Sequence, residues 1–485
     1  MSSQNSLLKS EDWWSVWVGL VIFVLSLGVF VDIDLLGWGA KVDVWLNPTK
    51  AVSAVSPLFD AKIPAIISVL LTYIFMLVVM TIGAYFLGAG IKKFIGGFTV
   101  IFWASFVCWF LGHYAYIAAT PDKLGKFGIG WSLNLTGEAG FILALIAGLV
   151  VGNFFPSLGA KLADACRPEW YIKTAIVIMG AGLGAKAAQS TGIAKAIIFM
   201  GLCSIVGAYL IYWALVYYLA RRYFGFSREW AAPLASGVSI CGVSAAIATG
   251  AAIRARPVVP IMVSSLVVIF AVIELVLLPF VAQHTLYNEP LVAGAWMGLA
   301  VKTDGAAVAS GAIVDSLIRA KALAAQGISY KEGWILMTAT TTKMFIDVFI
   351  GIWAFVLAFI WCTKIDCKEG EKISKVEIWH RFPKFVLGYF FTFLVLLIIC
   401  LVAPQKTEVA TQSTAGANVF RVLYFAMTFF TIGMVSNFKK LREEGIGKLA
   451  AVYLISLFGF IIWIGLFISW LFFHGVKPPI IGGGG

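Results

Sequence analysis

Apolar runs of membrane-spanning length recur along this chain from one end to the other, and they leave few folds open to it. A hydrocarbon layer about 30 Å thick needs roughly 20 apolar residues per helix. Thirteen apolar segments approach or exceed that length: 13–31, 62–88, 97–119, 138–155, 172–187, 193–219, 229–252, 257–281, 291–312, 334–361, 385–403, 418–436 and 447–473. The chain is 61% hydrophobic and only 12% charged, whereas a soluble domain carries about a quarter charged residues. The predicted fold class is an all-α polytopic membrane protein in a lipid bilayer. Its 48 glycines suit close helix packing in lipid.

The net charge of +12 sits in short loops, the ordinary positive-inside asymmetry of membrane proteins, so no nucleic-acid partner is implied. The seven cysteines have no disulfide-framework spacing, and the nearest pair, Cys362 and Cys367, has no histidine beside it for a metal site. The N-terminal stretch MSSQNSLLKSEDWW lacks a signal peptide's basic start and small-residue cleavage site. The first apolar run is therefore expected to be retained. Residues 1–125, with three expected transmembrane helices, read as an extension, and 126–485 as a transporter domain.

Two segments break the apolar monotony. GVSICGVSAAIATG (237–250) aligns without a gap to GLAVKTDGAAVASG (298–311), with Gly237/Gly298, Ala245/Ala306, Ala246/Ala307, Ala248/Ala309 and Gly250/Gly311 identical. If all thirteen segments cross, Arg254 and Arg256 fall outside the cell and the Lys- and Arg-free 282–290 loop falls inside, against the charge rule. If 229–252 and 291–312 instead dip in and return, eleven helices cross, the N-terminus is cytoplasmic, and both loops move to their favoured sides. The 313–333 loop, with Arg319, Lys321 and Lys331, is external either way.

A second echo pairs VIMGAGLGAKAAQSTGIAK (177–195) with FTIGMVSNFKKLREEGIGK (430–448) at a constant offset of 253. In the re-entrant arrangement both echoes run in opposed directions, an inverted-repeat secondary-transporter architecture. Chance matches among Gly/Ala-rich helices are the plainer explanation.

Irregular backbone at membrane depth persists only where it lines a cavity or is buried in protein. Gly242 and Gly305 are natural break points, each leaving half-helices of about 16 Å. A half-helix beginning at mid-depth presents free N–H groups and a partial positive charge to an anion, with Ser239, Ser244 and Thr303 as hydroxyl donors. Close helix packing is the alternative use of such glycines, but packing does not call for Lys302 and Asp304. Ionisable residues inside membrane segments are costly and mark function. Lys343 and Asp347 lie one turn apart on the following helix; they either serve the site or pin two helices as an internal salt bridge. Glu274 reads as near the far end of its helix, able to snorkel. No histidine (113, 284, 380 or 474) is placed for a central proton relay. Asp304 and Asp347 are therefore the candidate carriers of a coupling ion, H+ or Na+. The chain has no nucleophile elbow, no HExxH and no P-loop, and is expected not to be an enzyme.

SGVSICGVSAAIAT (236–249), with AGLVVGNFFP (147–156) before it and VSSLVVIFAVIELVLLP (263–279), TKM (342–344) and IGMVSNFKKLREEG (432–445) after it, resembles the sulfate exporter family of bacterial inner-membrane proteins. The resemblance covers roughly 138–473. It implies a bile-acid-transporter-like carrier in which two interrupted, crossing helices meet at the substrate site. Lys343 matches the family pattern. Lys302-Thr303 stands where the family shows His-Glu, and Ile346 where it shows Arg, which points to altered cargo or coupling.

The sequence thus predicts a multi-pass secondary transporter of the bacterial inner membrane, in the direction of export, for a small anion such as sulfate, sulfite or a sulfonate. Ser239, Ile240, Cys241, Gly242, Ser244, Lys302, Thr303, Asp304, Gly305, Ala306 and Lys343 are the expected substrate site. Asp304 and Asp347 are the expected coupling-ion site. No cofactor is expected, and a homodimer is carried as an expectation. The rival is an anion channel or membrane receptor without alternating access.

Overall fold

The computed structural model describes residues 7–119, 123–133, 135, 137, 139–189, 191–256, 258–361, 365, 383–436 and 447–481. Cys362, Cys367, His380 and residues 437–446 of the second echo lie outside them. Helices dominate. In chain order they are α1 (Glu11–Ser26), α2 (Ala65–Phe86), α3 (Ile91–Gly112), α4 (Ala139–Phe154), α5 (Pro156–Leu162), α6 (Pro168–Gln189), α7 (Thr191–Arg222), α8 (Arg228–Ser239), α9 (Gly242–Ala252), α10 (Val258–Thr285), α11 (Pro290–Ala300), α12 (Asp304–Gln326), α13 (Trp334–Ile360), α14 (Lys384–Val402), α15 (Thr407–Val435) and α16 (Gly447–Phe473). The loop after α1 carries a small antiparallel pair, β1 (Ala40–Val42) with β2 (Val52–Ala54).

Among the described residues, eight helices are long and apolar enough to cross a membrane, or nine if one bent pair is a single span. This is a multi-pass helical membrane protein. Fewer helices than apolar segments pass that test. The 229–252 and 291–312 segments are each split in two, and α6 carries Glu169, Lys173 and Lys186. The bent pair is α4 with the helical stretch Pro156–Ala165, turned by 111°. Pro156 has no N–H to continue the ladder, and it forces Phe155 out of helical geometry (φ −125°, ψ 61°).

The helices pack into two units, each drawn from separated stretches of chain: Met1–Ala194 with Lys384–Val435, and Lys195–Pro383 with Ser436–Gly485. α1 packs on α6, and α3 on α4, inside the first unit.

Glycines set the helix spacing in that unit. α6 lies against α14 so closely that a Cβ at Gly180 would strike the Tyr389 carbonyl, and one at Gly184 the Phe393 carbonyl. Thr392 Oγ1 donates across the seam to the Val177 carbonyl at 2.7 Å. α4 meets α15 in the same way, with Gly148 and Gly152 facing the Phe430 and Met434 carbonyls. These are small-xxx-small seams, in which lipid offers no hydrophobic drive and close contact supplies the attraction.

In the second unit α11 presses on α13, with Gly294 and Gly298 against the Ile335 and Ala339 carbonyls. Trp296 Nε1 ties α11 to α16 by donating to the Ile462 carbonyl at 2.8 Å. Asp315 of α12 caps the start of α13. Its carboxylate accepts N–H bonds from Gly333 and Ile335, both at 3.0 Å, and pairs with Arg319 at 2.8 Å.

Gly148→Leu should therefore overpack the α4–α15 seam by about 1–3 kcal/mol or more, since its neighbour is fixed backbone. Thermal unfolding in detergent should fall by several degrees. Gly159→Ala, which points into open space, should leave the melting temperature in place.

Candidate functional site

The two glycine-laden segments are helical hairpins. In the first, α8 runs in, the chain turns at Ile240 and Cys241, and α9 runs back alongside it. A Cβ at Gly237 would lie 3.4 Å from the Ala246 Cβ. At the open end, Glu229 accepts from the Arg256 backbone N–H at 2.7 Å and from its Nε at 3.0 Å. A continuous nine-residue stretch of helix would hold Gly237 and Ala246 about 13 Å apart, so the segment returns rather than crosses.

The second hairpin repeats the plan. Pro290 begins α11, where its missing N–H costs nothing. The chain breaks at Val301 to Thr303, and α12 returns. Its far end meets the start of α11, where Gln326 Nε2 donates to Asn288 Oδ1 and the Lys321 ammonium lies 5.9 Å from the Tyr287 ring centre.

α10 joins the two hairpins. Its 28 residues make a rod of about 42 Å. Arg256 lies just before its first residue and Asn288 just after its last, so the hairpins open at opposite ends of one long helix. Their tips meet: the Gly242 N–H donates to the Lys302 carbonyl at 2.6 Å. Gly242 has no room for a side chain, because a Cβ there would overlap Val267 Cγ1 and crowd the Lys302 carbonyl.

Each broken helix exposes its terminal carbonyls and amides to a dry interior, and the side chains at the tips answer them. Lys343, from α13, donates from Nζ to the Ile240 carbonyl at 2.8 Å and to the Val301 carbonyl at 3.4 Å. One ammonium thus serves the negative ends of both inward half-helices, a placement that helix dipoles favour. Lys302 turns its own ammonium back onto the Leu299 carbonyl, with the Tyr212 ring 4.7 Å away. Thr303 caps α12 by accepting the Ala306 N–H at 3.2 Å. Asp304 follows in the first turn, at the positive end of that helix.

The sequence placed the breaks at Gly242 and Gly305. They fall earlier, at Ile240–Cys241 in the first segment and at Val301 to Thr303 in the second. Gly242 is the first residue of α9, and Gly305 lies inside the first turn of α12 beside the buried Ala306, because Thr303 captures the cap. Of the other expected site residues, Ser239 ends α8, and its buried hydroxyl has no hydrogen-bond partner among the described residues. The backbone of Ser244 lies in the first turn of α9, while its side chain lies outside the described residues.

Lys343, Asp304 and Asp347 come together. The Lys343 Nζ lies 3.8 Å from Asp304 Oδ1. Cys241 Sγ, an Asp304 oxygen and an Asp347 oxygen all lie within 4.8 Å of one another. Lys343 and Asp347 are fully buried, and Asp304 is 1% exposed. Neither Asp304 oxygen has a hydrogen-bond donor among the described residues. These atoms are close enough to gather round one small positive charge, and the Lys343 ammonium beside them already supplies one.

Glu274 does not snorkel. It sits near the middle of α10, 1% exposed, where Oε2 accepts the Lys302 N–H at 2.9 Å and Oε1 accepts from the Tyr453 hydroxyl at 3.0 Å. The reading from the sequence set the helix end at 281, whereas α10 continues to Thr285 and the hairpin tips lie at the depth of Glu274. A lone carboxylate in a long apolar helix was the available signal for it. Nothing in the sequence marked Tyr453.

Buried hairpins whose tips meet define a class of multi-pass membrane protein with a polar, charge-bearing centre. The chain belongs to the UPF0324 membrane protein family. The family model described as Conserved hypothetical protein 698 matches residues 129–469. A UPF0324 membrane protein of Nitrosomonas europaea is 42% identical over 481 residues, 98% of each chain. An uncharacterized protein of Archaeoglobus fulgidus is 49% identical over 165 residues, 30% of this chain and 88% of that one. A UPF0324 membrane protein of Nitratidesulfovibrio vulgaris is 28% identical over 411 residues, 82% of this chain and 63% of that one. No solved structure matches.

Removing Glu274 should loosen the second tip. Glu274→Ala leaves the Lys302 N–H and the Tyr453 hydroxyl unmatched and should cost about 3 kcal/mol, while Tyr453→Phe should cost about 1 kcal/mol. Thermal unfolding of the purified variants measures both. A Glu274→Ala protein that melts with the wild type would show that this carboxylate does not hold the tip.

Proposed function

We propose that this protein is a secondary transporter of a small anion such as sulfate, sulfite or a sulfonate, bound at mid-membrane where the two hairpin tips meet. The observation that carries the reading is the Gly242–Lys302 contact between two broken helices that open toward opposite ends of α10. A site reached by two opposed hairpins has one gate element for each side, as alternating access requires.

The helix ends at this contact are not equivalent. α12 has Asp304 in its first turn, so its positive end already faces a carboxylate. α9 has no acidic residue in its first turn. Its N-terminal end, with the unpartnered Ser239 hydroxyl one turn away in sequence, is the place for an anion. Lys302 is committed to a backbone carbonyl, which leaves Lys343 as the cation nearer the cluster. The asymmetry favours a carrier in which the anion sits at α9 and the coupling ion, H+ or Na+, at Asp304 and Asp347.

With both hairpins re-entrant, the thirteen apolar segments become eleven crossings and the two hairpins. The N-terminus and the loops at Arg221–Arg228 and Arg254–Arg256 then lie on the cytoplasmic side of a bacterial inner membrane. The opposed hairpins support the inverted-repeat reading. They depart from the crossing broken helices that the sulfate exporter resemblance implied.

Proteoliposome counterflow with a panel of sulfate, sulfite, sulfonates and carboxylates tests the proposal and separates a carrier from a channel or receptor. Gly242→Leu, which drives the tips apart, should abolish uptake while the protein still inserts. Ser239→Ala should raise the half-saturating anion concentration severalfold. Normal counterflow by Gly242→Leu would remove the site from these tips.

A further inference from the structure

We propose that the hairpin crossing is built to be driven by a proton and not by sodium, because Lys343 fills the place an alkali cation would take. The inference rests on the transporter reading above and names its coupling ion.

Unwound carbonyls at the ends of broken helices, together with a carboxylate, are the donor set that holds Na+ in transporters with interrupted helices. This protein has that set: the Ile240 carbonyl from the first tip, the Val301 carbonyl from the second, and Asp304. The Lys343 Nζ lies 2.8, 3.4 and 3.8 Å from the three oxygens. Two of its N–H donors go to the two carbonyls, and its charge faces the carboxylate without a hydrogen bond. It is a tethered cation in the cage, and a sodium ion would have to displace it from the Ile240 and Val301 carbonyls.

Charge counting then leaves room for one proton. Among the described residues, the titratable and charged groups that face the crossing are Cys241 from the first tip, Glu274 from α10, and Lys302 and Asp304 from the second hairpin. Lys343 and Asp347 come from α13, with the hydroxyls of Tyr212 on α7 and Tyr453 on α16. Three carboxylates stand against two ammonium groups, all buried. Glu274 holds the Lys302 backbone N–H, and the opposite charges of these two side chains act on one another at the second tip. Lys343 balances one of Asp304 and Asp347, and one negative charge is left over.

The excess lies where it is least solvated. Asp304 has no hydrogen-bond donor on either oxygen among the described residues, and a bare carboxylate is the costliest group to bury. A proton taken from water on the open side removes the excess. With their oxygens within 4.8 Å, Asp304 and Asp347 are one rotamer step from sharing it. That proton is the one exchanged when the opposite side opens.

The test uses purified full-length protein in detergent, at constant ionic strength, with NaCl exchanged for choline chloride. Wild type should melt at the same temperature in both salts. Lys343→Met vacates the cage and should gain a saturable, sodium-specific rise of several degrees. If Lys343→Met does not fold, Lys343→Gln serves the same purpose. A saturable sodium-specific rise in the wild type would overturn the proposal, as would the lack of one in every folded Lys343 variant. In proteoliposomes free of sodium, an imposed pH gradient should drive wild-type anion accumulation, and Asp304→Asn should reduce it at least tenfold. Accumulation that needs sodium would also overturn it. If no anion in the panel moves at all, the transporter reading fails, and the melting experiments still decide which cation the crossing accepts.

Discussion

The structure of the second unit depends on how it treats backbone that stops in the middle of a membrane. Each half-helix end leaves roughly four polar groups without helical partners, and an unsatisfied group in hydrocarbon costs several kcal/mol (about 4–8 against an alkane). Two broken helices would be prohibitive in lipid. Here the ends are turned on one another and on a few side chains. The Gly242 N–H takes the Lys302 carbonyl, Lys343 takes the Ile240 and Val301 carbonyls, and Lys302 takes the Leu299 carbonyl. Without that closure neither hairpin has a reason to stay at mid-depth.

Much of the surrounding packing serves to place Lys343. Gly294 and Gly298 let α11 approach the backbone of α13. Asp315 secures the start of α13 through Gly333 and Ile335 and is itself balanced by Arg319. Asp315 and Asp304 lie on the same helix and are both buried, yet their surroundings differ. Asp315 has its donors in place and acts as a structural cap. Asp304 has none beyond an ammonium at 3.8 Å. Buried polar groups are ordinarily given partners, so this contrast on one helix is what the proposed coupling role of Asp304 draws on.

The sequence revealed this site unevenly. The two breaks were legible to within a few residues, because glycine and polar residues have no other business in such segments. The choice between dipping and crossing was not legible from hydropathy, which cannot distinguish two antiparallel half-helices from one whole helix of the same length. The loop charges at Arg254 and Arg256 carried that information instead, and the Glu229–Arg256 pair now accounts for it. Lys343 and Asp347 stood out as ionisable residues one turn apart. Glu274 was misplaced because its depth depends on where α10 ends and on what packs beside it, and both are tertiary facts. The fate of the Lys302 side chain was also hidden, since a lysine next to a helix break can face a cavity or fold back on the carbonyl it has just exposed.

That last point bears on the departure from the sulfate exporter pattern at Lys302-Thr303. A His-Glu pair at a helix break would offer a titratable ring and a carboxylate to whatever binds there. In this protein the same two positions are absorbed by the backbone: the Lys302 ammonium closes the end of α11, and the Thr303 hydroxyl caps α12. The carboxylate duty at the second tip then moves one residue on, to Asp304, and its counter-charge comes from α13. A substitution that looks like a change of ligand chemistry is therefore better understood as a transfer of it. The tip is closed by its own residues. On the transporter reading, the coupling role then falls to the Asp304–Lys343–Asp347 cluster and cargo selection to the start of α9, which has no acidic residue in its first turn.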